Sequence, residues 1–155
     1  MQEDVQIINF EETLAHHFSD LNLAWIRKYF KVEPKDEEVL AKPQHFIIDK
    51  GGHIFFATFN NEIVGTFALI KVAEGIFELS KMAVSEGSRG KKTGNKMLQF
   101  CLQKAKELQA KKVILYSNTI LSPAIHLYKK YGFSEIPLEH SEYKRSNIKM
   151  EIDIK

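Results

Sequence analysis

The sequence predicts an α/β fold: a mixed, mostly antiparallel sheet with helices on both faces. Three observations predict it. Residues 54–84 read as a meander of strands separated by tight turn signals, Asn60-Asn61 and Ala73-Glu74-Gly75. A strand, an amphipathic helix and a second strand then follow one another between Ile76 and Ser117, the order of a right-handed crossover joining a parallel pair. Helical stretches before and after supply cover for both faces of such a sheet.

The elements follow in order. Val5 to Asn9 is a short strand. Glu11 to Phe30 carries Leu14, Phe18, Leu21, Ala24, Trp25 and Tyr29 at helical spacing, which marks an amphipathic helix. Pro34 and the acids after it open a second, shorter helix that stops before Pro43. Phe46-Ile47-Ile48 reads as a strand, and Lys50-Gly51-Gly52 as a turn. Ile54 to Phe59 and Glu62 to Val72 form a hairpin, and Ile76 to Val84 is the next strand. Thr93 to Gln109 is a long helix with Met97, Leu98, Cys101, Leu102, Ala105 and Leu108 on one face. Lys112 to Ser117 is a strand with an apolar centre. Ser122-Pro123 opens a helix through Tyr131, with Gly132 as its C-terminal cap. Ile148 to Ile154 alternates apolar and polar residues and reads as a final strand.

The totals exclude several classes. A length of 155 residues suits one domain, spanning 1–155, with a single core. A formal net charge of +2 is too small for wholesale nucleic-acid binding. One cysteine, Cys101, excludes an internal disulfide and fits a reducing compartment. The acidic start is not expected to be a signal peptide, and no apolar run is long enough to span a membrane. A soluble cytoplasmic protein is therefore expected. The six histidines lack metal-ligand spacing, so no metal is expected.

The stretch from Phe77 to Leu98 carries the chemistry. It reads as a strand, a turn rich in glycine and lysine, and the start of a helix. A helix N-terminus presents unpaired N–H groups and partial positive charge. Gly90 and Gly94 let a backbone approach a ligand, and Arg89, Lys91, Lys92 and Lys96 add full charges. A phosphate or pyrophosphate fits that corner.

Three pieces in order now resemble the GNAT family of N-acetyltransferases, which move the acetyl group of acetyl-CoA to an amine. They are Val64-Gly65-Thr66, the strand and loop from Leu79 to Leu98, and the closing helix Ala124 to Phe133 with its Tyr128 ahead of Gly132-Phe133. The family's loop pattern is Arg/Gln-x-x-Gly-x-Gly/Ala. Here it reads Arg89-Gly90-Lys91-Lys92-Thr93-Gly94, with Lys92 in place of the first glycine. A lysine does not readily take a positive φ. The favoured reading is that the loop needs no such angle there and that Lys92 adds charge beside the phosphates.

The resemblance implies acetyl-CoA as cofactor. It implies a family fold in which the strand at Met82, Ala83 and Val84 parts from the strand at residues 113–117. The pantetheine arm would lie in that gap, bonded to backbone groups. The diphosphate would sit on Arg89, Gly90, Lys91, Lys92, Thr93, Gly94, Asn95 and Lys96. Tyr128 becomes the acid that protonates the departing thiolate, close to the cofactor; spacing alone makes it a packing residue. Glu78 becomes the base for the amine, against the plainer reading of an exposed strand charge. Asn118 is a cofactor contact or a turn residue. For the acceptor, Trp25, Tyr29, Glu78 and Arg145 are the candidates. Arg145 would grip a carboxylate, with Tyr143 and Asn147 facing the same side if the segment is extended. Ordinary packing is the alternative.

The expected partner is a small-molecule or peptide amine, with neither nucleic acid nor membrane. An exposed sheet edge leaves a homodimer open. A non-catalytic acyl-CoA sensor is the competing class. A nucleic-acid binder is disfavoured, because no aromatic platform accompanies the basic loop.

Overall fold

The computed structural model describes residues 4–88 and 92–155. Its elements run β1 (Gln6–Asn9), α1 (Ala15–Tyr29), α2 (Pro34–Ala41), α3 (Pro43–Phe46), β2 (His53–Phe59), β3 (Glu62–Ala73), β4 (Ile76–Val84), α4 (Thr93–Glu107), β5 (Lys112–Ser117), α5 (Ser122–Lys130), β6 (Ser134–Ile136) and β7 (Ile148–Asp153). The strands form one sheet in the order β1-β2-β3-β4-β5-β7-β6. Only β4 and β5 run parallel. The other neighbours are antiparallel.

Local chemistry explains the meander. Asn60 and Asn61 both take left-handed φ values, 52° and 65°, which a two-residue hairpin requires and asparagine tolerates. The sheet is covered on both sides, so β2 and β3 are apolar on both faces. On one side Phe55, Phe67, Leu69, Leu79, Val113 and Met150 pack with Met97, Leu98 and Cys101 of α4. On the other, Phe56, Ala68 and Ile54 pack with Phe18 of α1 and Val39 and Leu40 of α2. Gly132, at φ 104°, ends α5, and the Phe133 N–H closes the cap by donating to the Tyr128 carbonyl at 3.0 Å.

Two expectations change. Phe46-Ile47-Ile48 is not a strand. Pro43 opens the short turn of α3, and a tight helical turn covers Ile48–Lys50. Three adjacent apolar residues carry no periodicity, and Ile47 is buried without any strand partner. Conversely, β6 is a strand of three residues that pattern could not reveal. It exists because β7 offers it an edge, pairing Ser134 with Glu151 and Ile136 with Lys149.

A bulge in β4 matters for the site. Thr66 pairs with Ala83 and Ala68 with Ser80, so Lys81 and Met82 together oppose Phe67. Lys81 has a φ of 54°. An extra residue of this kind turns the next side chain onto a face that alternation would deny it.

Candidate active site

The pairing of β4 with β5 covers Ile76 with Lys112, Phe77 with Val113, and Glu78 with Ile114, and then stops. β4 continues to Val84 beside β3, while Leu115 to Ser117 of β5 pair only with β7. Beyond Glu78 the strands have parted, so the β5-facing edge of Met82, Ala83 and Val84 has no strand partner among the described residues. Backbone groups on such an edge remain available to a ligand.

The N-terminus of α4 stands beside this fork. Gly65 makes the approach tight: a Cβ there would lie 3.0 Å from Met97 Sδ and 3.2 Å from Thr93 Cγ2. Gly94 plays the same part toward α5, where a Cβ would lie 3.2 Å from Leu127 Cδ2. Thr93 is buried, and its Oγ1 has no hydrogen-bond partner among the described residues. A buried hydroxyl without a partner costs free energy. It fits a site whose ligand supplies the acceptor. Asn95 accepts hydrogen bonds from Lys130 Nζ at 2.9 Å and Tyr131 Oη at 3.0 Å, locking the start of α4 to the end of α5. Lys96 is exposed. Arg89, Gly90 and Lys91 lie outside the described residues.

Lys92 corrects an expectation. It takes φ 60° and ψ 25°, the left-handed angle that the favoured reading held unnecessary. The chain thus holds a lysine in a conformation that glycine adopts freely. That strain costs roughly 1 kcal/mol or more for a residue with a Cβ. Lys92→Gly is expected to stabilise the protein by up to about 1 kcal/mol, part of the gain being offset by the freer unfolded chain. Urea unfolding checks it, and unchanged or lower stability would show that the lysine sits there unstrained.

Tyr128 lies on α5, half-buried, with its ring edge-on to Phe133 at 5.9 Å. Burial pushes its hydroxyl up to about 12, and the neighbouring Cys101 adds to the rise. It therefore holds its proton at neutral pH. Its hydroxyl has no hydrogen-bond partner among the described residues. Cys101 itself is buried, and burial pushes its thiol up to about 12, so it packs rather than reacts.

Glu78 pairs with Ile70, on the face that carries α1 and α2. Burial raises its carboxyl to about 7 and Glu142 adds to this, while Lys81, a hydrogen bond with Ser80, and Lys149 oppose. Tyr128 belongs to the opposite layer, with the core under α4.

The acceptor candidates divide. Arg145 does grip a carboxylate with both nitrogens, but it is the protein's own Asp36, at 2.7 and 2.6 Å. Glu33 adds a contact at 3.4 Å. Arg145 is thus committed to the fold, because a wholly buried Asp36 requires cations. Its segment is not extended: residues 144–145 form a turn, Tyr143 and Arg145 both face the Asp36 cluster, and Asn147 bonds Thr119 instead. Trp25 lies under the Arg145 guanidinium, 5.8 Å from ring centre to Cζ, and donates from Nε1 to Asn22. Tyr29 is exposed at the last residue of α1, with the Lys28 ammonium over its ring. Asn118 is a turn residue rather than the expected cofactor contact. Its amide donates to the Arg145 carbonyl at 2.6 Å, and its oxygen accepts from the Ile120 N–H at 2.9 Å.

Sequence reasoning missed Asp36, Lys81 and Glu33. Asp36 carries a faint signal, as the third residue of a helix opened by Glu33-Pro34, where its carboxylate accepts from the Glu33 N–H at 2.9 Å. Nothing in the pattern of β4 marks Lys81. Among the described residues no cluster of three or more metal-ligating side chains occurs, and no helix is long and apolar enough to cross a membrane.

Comparison with known proteins agrees with this geometry. Residues 18–133 match the sequence pattern of the acetyltransferase (GNAT) family. The uncharacterized N-acetyltransferase YvbK of Bacillus subtilis is 26% identical over 132 residues, covering 81% of this chain and 85% of YvbK. The uncharacterized N-acetyltransferase YobR of the same organism is 31% identical over 91 residues, covering 59% of this chain and 37% of YobR, so the chain spans little more than a third of that relative. A GNAT-family acetyltransferase from Staphylococcus aureus Mu50 superposes with a TM-score of 0.87 at 24% identity, covering 97% of this chain and 99% of its own.

Proposed function

Because the chain belongs to the acetyltransferase (GNAT) family and is by that membership an acetyl-CoA-dependent acetyltransferase, we propose that it acetylates a primary amine of a small molecule or peptide by direct transfer. The observation that carries the reading is the fork between β4 and β5 beside the N-terminus of α4. When bound, acetyl-CoA supplies an activated acetyl thioester. The residues fit it: the unpaired edge of Met82, Ala83 and Val84 for the pantetheine amides, and the first turn of α4, with the partnerless Thr93 hydroxyl, for the diphosphate.

Two side chains then serve the transfer. Glu78, last residue of the paired stretch, takes a proton from the amine, directly or through a water; its carboxyl titrates near the working pH, as a general base should. Tyr128 gives a proton to the departing thiolate from the other layer. An N–H on the open edge of β4 holds the developing charge on the carbonyl oxygen. Trp25 and Glu78 are the acceptor contacts retained by this reading. It takes residues 1–155 as one domain in a cytoplasmic protein, with the sheet edges β1 and β6 open to a second copy.

Acetyl-CoA is expected to raise the melting temperature of the parent protein, by the linkage of binding to folding. Gly94→Asp places a carboxylate at the diphosphate site and against Leu127, and should abolish the rise. Gly94→Ala meets Leu127 Cδ2 at 3.2 Å and Met82 Cε at 3.9 Å without adding charge, and separates crowding from charge. No rise in the parent protein would defeat the proposal. Turnover measured as free CoA release with a panel of amines tests the acceptor class, and no release with any primary amine would defeat it.

A further inference from the structure

Lys81 is a buried cation on the strand that carries Glu78. The bulge breaks the alternation of β4, so Lys81 leaves the strand toward Asp36 of α2, on the face where Glu78 and Ser80 pair with Ile70 and Ala68 of the layer under α1 and α2. Its positive φ costs a lysine roughly 1 kcal/mol or more, which the surroundings must outweigh. Its side chain is 3% exposed. Nζ donates to Asp36 Oδ1 at 2.8 Å and to Tyr143 Oη at 2.9 Å, and lies 4.2 Å from the centre of the Tyr143 ring. Asp36 is held in turn by Arg145, and Arg145 by Glu33. Burial lowers the Lys81 ammonium from its ordinary value and Arg145 adds to this, while the hydrogen bond and charge of Asp36 oppose, so the two cations and two carboxylates of the cluster hold the ammonium in place.

We propose that Lys81 is a positioning residue of the acetyl transfer: clamped by Asp36, Tyr143 and the bulge, it holds a fixed positive charge beside Glu78 and sets how readily that carboxylate takes the proton of the amine. The inference rests on the reading of Glu78 as base. The groups that act on Glu78 are Ser80 and Lys81 of its own strand, Glu142 and Tyr143 of the segment before β7, and Lys149 of β7. Burial and Glu142 favour the acid form. Lys81 is first among the groups that favour the carboxylate. Glu142 is exposed and lies 3.7 Å from Lys35, which weakens its hold.

The test is a carbon-13 NMR titration of the Glu78 carboxyl in the full chain, alongside the pH dependence of kcat. In the parent protein the Glu78 midpoint should lie near 7. In Lys81→Met the midpoint should rise by about one unit or more. The acid limb of the rate profile should rise with it, kcat falling below that limb more than KM for the amine changes. Tyr143→Phe removes one hydrogen bond of Lys81 but no charge, and should leave the midpoint in place. An unmoved midpoint in Lys81→Met overturns the proposal, as does an equal shift in Tyr143→Phe. If the midpoint moves but the rate limb stays, and Glu78→Gln also leaves the limb intact, Glu78 is not the base and Lys81 has no part in the reaction. If Glu78→Gln abolishes the limb while Lys81→Met leaves it, the base stands and Lys81 alone is dismissed. Should Lys81→Met fail to fold, the parent protein still answers. The nitrogen-15 signal of Lys81 Nζ must show an inflection at the Glu78 midpoint, and its absence overturns the coupling.

Discussion

Tyr128→Phe is expected to lower kcat by about 10²-fold or more, the usual worth of a placed general acid, while leaving KM for acetyl-CoA and the unfolding free energy nearly unchanged. The ring stays, so its edge-on contact with Phe133 survives. The hydroxyl makes no hydrogen bond among the described residues, so the fold loses little with it. What disappears is the proton for the departing thiolate. Because burial pushes the hydroxyl up to about 12, the acid stays protonated through neutral and mildly basic pH, and the parent rate should show no basic limb from this group below about pH 10. Steady-state kinetics with thiol detection decides the matter. Equal turnover in the variant would take Tyr128 out of the acid role, and loss of cofactor affinity in step with rate would make it a binding residue.

The largest stability effect is expected at Asp36. Asp36→Ala leaves Lys81 and Arg145 buried without their shared carboxylate and should cost about 3–5 kcal/mol, the range for removing one partner of a buried ion pair. Asp36→Asn keeps an acceptor and should cost less. The pH dependence follows from the same contacts. Burial alone would raise the carboxyl, but hydrogen bonds from Arg145 and Lys81 outweigh it and hold it at about 2, against an ordinary 3.8. A lowered value means the folded state binds the proton less well than the unfolded chain. The contribution of Asp36 is therefore complete above its ordinary value and fades as pH falls toward 2. Urea unfolding at several pH values checks both statements. A loss under about 1 kcal/mol for Asp36→Ala, the worth of an exposed pair, would show that the cluster does not hold α2, β4 and the segment before β7 together.

The cluster also shows where reading a sequence runs out. Glu78 and Tyr128 were legible as candidates only through the resemblance to the GNAT family, matched on the strand that feeds the loop and on the helix that ends at Gly132. Arg145 was singled out for the right chemistry, a two-pronged grip on a carboxylate, but its partner lies 109 residues away in α2. Asn118 was a cofactor contact by the resemblance or a turn residue by its type, and its bonds to the Arg145 carbonyl and the Ile120 N–H fit the turn. Lys92 was expected to avoid a left-handed angle, yet it takes one as the residue that precedes α4. β6 escaped notice because three residues carry no period, and only the edge of β7 makes them a strand.

By itself the sequence determined the meander, the crossover and the helix that opens at the anion corner. These depend on side-chain periodicity, turn residues and caps, which act over a few residues and leave their mark in order along the chain. Only the tertiary structure decided where β4 parts from β5, that a bulge turns Lys81 toward Asp36, and which charges share one buried site. Burial makes an unpaired charge costly, and the partner that answers it is fixed by packing across the fold rather than by neighbours in the chain.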